Sequence, residues 1–144
     1  MSQTTRATAE QRNSDEREIR NLLARMGHLA DYGDLDVYLT LFTDDAVWER
    51  EGDRRQGHAD ILTGARERRA SGLQGPGTHS RHMNTTLWVD VNGTDEAEAH
   101  SYFLFVQRTD STPTVSMVGH YHDTLRRTPD GWKLAHRRII SEDS

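Results

Sequence analysis

Residues 87–108 read LWVDVNGTDEAEAHSYFLFVQR. Asn92-Gly93 is the dipeptide best suited to the centre of a tight hairpin turn, where both residues need positive φ. The runs on either side, 78–91 and 96–108, are rich in Val, Thr, Phe, Tyr and Trp and read as two long strands. Working outward, 114–127 is a third such run. Pro129-Asp130-Gly131 turns it into a fourth at 132–141. The C-terminal half is therefore a chain of hairpins.

The N-terminal half has a different period. Residues 1–12 are polar with no apolar face and read as a flexible arm, leaving 13–144 as one domain. Asn13 or Ser14 offers a cap, with Asp15, Glu16 and Glu18 in the first turn. Ile19, Leu22, Leu23, Met26 and then Leu29 or Ala30 follow at helical spacing to about Tyr32, where Gly33 stops the run. Asp34 caps a short second helix with Leu35, Tyr38, Leu39 and Phe42 on one face, ended by Thr43-Asp44-Asp45. Residues 46–50 look like a short strand. Residues 57–70 form a third helix with Ile61, Leu62 and Ala65 buried, and 71–77 a loop around Pro76. Helices first and hairpins last predict an α+β domain with an antiparallel sheet.

Composition narrows the function classes. The chain has 144 residues, a net charge of -5 and 33% hydrophobic residues. Basic residues alternate with acids, as in Glu67-Arg68-Arg69, so no nucleic-acid stripe is expected. No run is long enough for a membrane span, and the N-terminus lacks the apolar stretch of a signal peptide, so a cytoplasmic protein is expected. Cysteine is absent, which removes disulfides, thiolate metal sites and a Cys nucleophile. No phosphate loop, dinucleotide fingerprint or Ser nucleophile elbow occurs, and no cofactor is called for.

Four segments carry a resemblance: LADYGDLDVYLTLFTDDAVWE, RHMNTTLWVDVNG, AEAHSYFLFV and GHYHDTLRRTPDGWKLAHRRI. Together they resemble the SnoaL-like family of the nuclear transport factor two-like fold. That resemblance implies a cone-shaped, strongly curved sheet wrapped by the N-terminal helices around one pocket. The fold hosts many chemistries, so the site must decide function. Within the family the chemical pattern is similar to hexachlorocyclohexane dehydrochlorinase and, more distantly, scytalone dehydratase. Those enzymes pair an Asp on the first helix with a His on the first long strand, and Asp31 and His82 fall at these places. Trp48 matches a pocket aromatic and Arg137 a pocket arginine. Met26 stands where the dehydrochlorinase has a lysine, so halide departure is not specifically supported.

An Asp–His pair makes a sensible base. The carboxylate fixes the imidazole tautomer and stabilises the imidazolium that forms. Tyr32, beside Asp31, is a candidate donor. Tyr121, in phase with Met117 and Gly119, is expected to face the pocket, with Tyr102 and Leu104 on the matching face of the preceding strand. His79-x-x-His82 and His120-x-His122 are weighed as metal ligands. The second pair is out of phase with Tyr121 and should face outward, so no catalytic metal is expected. The expected activity is a cofactor-independent lyase or isomerase, dehydratase-like, acting on a small, largely apolar molecule. The alternatives are a polyketide cyclase, or a non-catalytic binding or accessory protein. Long strands with large side chains on both faces imply a homodimer through the sheet.

Overall fold

The computed structural model describes residues 8–141. Its elements are α1 (Ala9–Tyr32), α2 (Leu35–Leu39), β1 (Phe42–Arg50), β2 (Asp53–Gln56), α3 (His58–Ala70), β3 (Ser80–Asn92), β4 (Glu96–Gln107), β5 (Thr114–Thr128) and β6 (Gly131–Ser141). The α+β class with N-terminal helices and a curved, unclosed six-stranded sheet is as expected. The strand order is β2-β1-β6-β5-β4-β3. One expectation changes: β1 runs parallel to β6, so the sheet is mixed, although every other pairing is antiparallel. The long connection between β1 and β6, which includes α3 and the hairpins, allows the two strands to meet in this sense.

The first helix starts earlier than its acidic run suggested. Thr8 is the cap, its hydroxyl accepting from the Gln11 N–H at 3.0 Å. Residues 9–12 of the expected arm are thus helical, and 1–7 lie outside the described residues. Asp15 and Glu18 consequently sit within the helix body and tie it to the sheet. Asp15 accepts from Arg127 at 2.7 Å, from the Trp132 indole at 3.0 Å and from Gln11 at 3.0 Å. Burial raises its pKa, but these three donors outweigh that and hold the carboxyl below the usual range. Glu18 accepts the Trp132 backbone N–H at 2.7 Å.

Gly33 ends α1 for a steric reason. Its φ of -91° is ordinary, but a Cβ there would lie 2.6 Å from the Leu29 side chain. The open carbonyls of the last turn are met from α3: Arg69 Nη2 donates to Leu29, Ala30 and Gly33 oxygens at 3.0, 3.3 and 2.8 Å. α3 therefore fixes the end of α1 that carries Asp31.

Ile19, Leu22, Leu23 and Met26 of α1 pack in one core with Ala97, Ala99, Leu125, Trp132 and Leu134 of the sheet. At about 25 cal/mol per Å², such burial is the main stabilising term. The opposite sheet face leaves Trp88, Tyr102, Met83 and Val118 exposed. Among the described residues, no helix is long and apolar enough to cross a membrane.

Candidate functional site

The last turn of α1 and the start of β3 bring Asp31 and His82 together across 51 residues of sequence. His82 Nδ1 lies 2.6 Å from Asp31 Oδ1, and the His82 backbone N–H reaches the same carboxylate at 3.0 and 3.2 Å. A carboxylate only accepts, so Nδ1 carries the proton, and in the neutral ring Nε2 presents a lone pair. Asp31 is 3% exposed, whereas His82 is half-buried and borders the pocket. The ring also packs against Phe105, 4.8 Å between centroids. His82 opposes Phe105 in the β3–β4 register, which puts both on the pocket face.

A second carboxylate pair, this one with a permanent cation, lies deeper. Arg137 of β6 and Asp123 of β5 face each other in register and form a bidentate ion pair at 2.8 and 2.9 Å. Asp123 is fully buried and Arg137 6% exposed. Burial alone would lower the arginine pKa, but the Asp123 charge outweighs it and the net shift is upward. The guanidinium lies 3.7 Å over the Tyr121 ring. Tyr121 stacks on Phe103 at 4.5 Å and 14°. Gly119 makes this stack possible, since a Cβ there would lie 2.6 Å from the Phe103 ring and from the Ile140 carbonyl. Burial pushes the Tyr121 phenol up to about 12, so it stays a neutral donor.

The third part is built on β1 and α3. Trp48 opposes Arg137 across the parallel β1–β6 pair. Arg68 of α3 lies over its ring at 4.1 Å, with Arg50 at 5.8 Å. Arg68 has no carboxylate within ion-pair distance among the described residues. Burial lowers its pKa, yet an arginine remains charged. Tyr38 of α2 is buried beside these groups, and burial raises its phenol pKa. Together the parts enclose a pocket of about 1340 Å³ that includes Met26, Phe105 and Met117 on its wall.

The structure brings His82, Met26, Trp48, Met117, Tyr121 and Arg137 onto one pocket wall, with Asp31 behind His82. Three expected residues stand elsewhere. Tyr32 is half-exposed and its hydroxyl meets His28 Nδ1 at 2.5 Å, because it lies about 100° round the helix from Asp31. Tyr102 and Leu104 are not on the pocket wall. Tyr121 opposes Ser101, so its side of β4 carries Ser101, Phe103 and Phe105, and Tyr102 and Leu104 point the other way. Arg137 is in the pocket, but its charge is already met by Asp123. The sequence reading missed Asp123, Phe103, Tyr38 and Arg68. A signal existed for the first: Asp123 shares the inward phase of Gly119, Tyr121 and Leu125, and a carboxylate there needs a buried partner.

Comparison with known proteins places the fold. The SnoaL-like domain model matches residues 11–138. The chain belongs to the SnoaL-like family. Among solved structures, the SnoaL-like protein is similar to an NTF2-like protein with a cystatin-like fold from Novosphingobium aromaticivorans. The identity is 28% and the TM-score 0.81, covering 91% of this chain and 84% of that one. It shares its fold with a putative scytalone dehydratase of the same organism, at 15% identity and TM-score 0.74, covering 93% and 88% of the two chains. A curated relative is the anthranilate 1,2-dioxygenase small subunit of Burkholderia cepacia, 34% identical over 65 residues. That match spans 44% of this chain and 40% of the subunit's length.

Proposed function

We propose that this SnoaL-like protein is a cofactor-independent lyase or isomerase whose base is His82, oriented by Asp31. The observation that carries the reading is the 2.6 Å Nδ1–carboxylate contact at the pocket wall. It commits one ring nitrogen to Asp31 and leaves Nε2 without a hydrogen bond among the described residues. In the forward step Nε2 accepts a proton from a carbon next to an electron-withdrawing group. The C–H electron pair becomes the new double bond. In a dehydration the β-hydroxyl leaves with the C–O electron pair and takes the proton back from the His82 imidazolium, departing as water and restoring the neutral base. In an isomerisation the proton returns at a different carbon. Asp31 stabilises the imidazolium formed in between.

Arg68 serves as the anchor for an oxygen of the substrate. Among the described residues its guanidinium has no carboxylate partner; it is stacked on Trp48 and partly desolvated, so an anionic or carbonyl oxygen suits it. The Tyr121 phenol is a neutral donor for the leaving oxygen. Arg137, satisfied by Asp123, holds the Tyr121 ring. The apolar wall of Met26, Phe103, Phe105 and Met117 suits a small hydrophobic body.

The test is a screen of hydroxylated and halogenated cyclic compounds, followed by His82→Ala and Asp31→Asn on any substrate found. The expected result is loss of turnover in both, with Asp31→Asn acting on kcat more than on KM. Full turnover by His82→Ala would refute the base. A second reading is a non-catalytic accessory subunit, favoured by the similarity to a dioxygenase small subunit. It predicts co-purification with a larger oxygenase chain and no turnover of any compound in the screen.

A further inference from the structure

The sheet face away from the pocket gathers three metal-ligating side chains that the proposed chemistry does not use. His100 of β4 and His122 of β5 are direct cross-strand partners. Glu98 precedes His100 by two residues, so it shares that face. His122 Nε2 lies 3.1 Å from Glu98 Oε1, and His100 Nε2 lies 3.9 Å from the same oxygen. One donor atom from each of the three falls within 4.8 Å of the others. The two imidazoles stack at 4.4 Å and 25°, and Trp88 of β3 stacks on His100 at 4.8 Å and 27°.

We infer that Glu98, His100 and His122 form a binding site for a divalent transition-metal ion. Donors held about 2.0–2.2 Å from a tetrahedral zinc ion stand roughly 3.3–3.6 Å from one another. The His122–Glu98 contact is already at that scale, and His100 must turn out of its stack on His122 to aim its ring nitrogen at the same ion. The backbone can hold this spacing, because directly opposed residues on a ladder keep their Cβ atoms about 4.5–5.5 Å apart. Two imidazoles and one carboxylate suit zinc, copper or nickel rather than magnesium or calcium. The three are half-buried, and Trp88 walls one side. Three protein ligands leave a coordination position for water or an external ligand. His120-x-His122, the pair suggested by sequence spacing, is replaced by a cross-strand set because His100 meets His122 across the ladder, whereas Tyr102 opposes His120.

The experiment uses the full chain, stripped with chelator and titrated calorimetrically with zinc chloride and separately with nickel chloride. The expected result is a saturable site of one equivalent per chain, with Kd below about 100 µM. His122→Ala and the more conservative His100→Gln should each weaken it by about tenfold or more. His79→Ala, remote on the loop before β3 and facing Asp110, should leave it unchanged. Copper(II) should quench the exposed Trp88, and Trp88→Phe should remove that quenching. Circular dichroism on each variant separates lost binding from lost fold, and a misfolded His122→Ala leaves His100→Gln and the Trp88 quenching to decide. Absence of a saturable site overturns the inference, as does affinity unchanged in His100→Gln or lost equally in His79→Ala.

Discussion

The two carboxylate pairs of the pocket differ in what they leave open. Asp123 and Arg137 close on each other with two short contacts at the floor. Asp31 and His82 meet through one ring nitrogen, at a place where the other faces the cavity. The closed pair offers no proton acceptor, since its carboxylate is fully buried and occupied. It holds β5 to β6 and seats Tyr121. The open pair has a backbone N–H and an Nδ1–H fixing the carboxylate, and a free lone pair beyond it. Similar residue types thus reach two roles through burial and through how many hydrogen-bonding positions are spent inside the protein.

If the contrast is right, variants in the two pairs should fail in different ways. The largest effect is expected in His82→Ala: about 10²–10⁴-fold lower kcat on any substrate found, the range a positioned general base supplies. Its urea midpoint should fall less than that of Asp123→Asn, because the His82 backbone N–H still meets the Asp31 carboxylate. Next is Asp123→Asn, which strands the Arg137 charge in the interior. Breaking a buried pair from one side costs about 3–5 kcal/mol, so equilibrium urea unfolding should show a large loss of stability. An Asp123→Asn protein as stable as wild type but without turnover would erase the distinction between the pairs.

A smaller effect is expected at Asp15, which is also fixed by several donors but lies away from the pocket. Asp15→Asn should cost about 1–3 kcal/mol at neutral pH. Because its pKa is held down in the folded state, its contribution is present above the ordinary carboxylate pKa of about 3.9 and is lost as pH falls through the folded value. Urea titrations from neutral to acid pH should therefore show the gap between wild type and Asp15→Asn shrinking at the acid end. The smallest energetic change is expected at the outer sheet face, where Trp88 is 60% and Tyr102 51% exposed. We expect a second copy to cover the part of this face that carries Met83, Tyr102 and Val118. Sedimentation velocity should give a dimer that Tyr102→Glu shifts toward monomer, and a wild-type monomer at micromolar concentration would count against it.

How far this was legible in the sequence follows from the range of the forces involved. The Asn92-Gly93 hairpin and the 3.6-residue period of Ile19, Leu22, Leu23 and Met26 are local signals, and both elements form, although Asn92 ends β3 opposite Glu96 and only Gly93 of the two has positive φ. Asp31 and His82 are far apart, and only the family resemblance joined them. β2 carries Asp53, Arg54, Arg55 and Gln56, with no apolar alternation to mark a strand. β4 misled because Tyr102 and Leu104 are as bulky as Phe103 and Phe105, so side-chain size does not reveal the inward phase. Only the pairing with β5 decides it, through Gly119 opposite Phe103. Arg68 reads as one charge in a mixed helix until α3 is laid over Trp48.

The tautomer of His82 tests the central claim most directly, and needs no substrate. Long-range 15N–1H NMR on selectively labelled protein, at a pH where the ring is neutral, reports which nitrogen carries the proton. The account predicts Nδ1–H with an unprotonated Nε2 in wild type, and a mixed or reversed population in Asp31→Asn. A wild-type ring protonated at Nε2 would contradict it, because the nitrogen assigned as the base would already hold a proton.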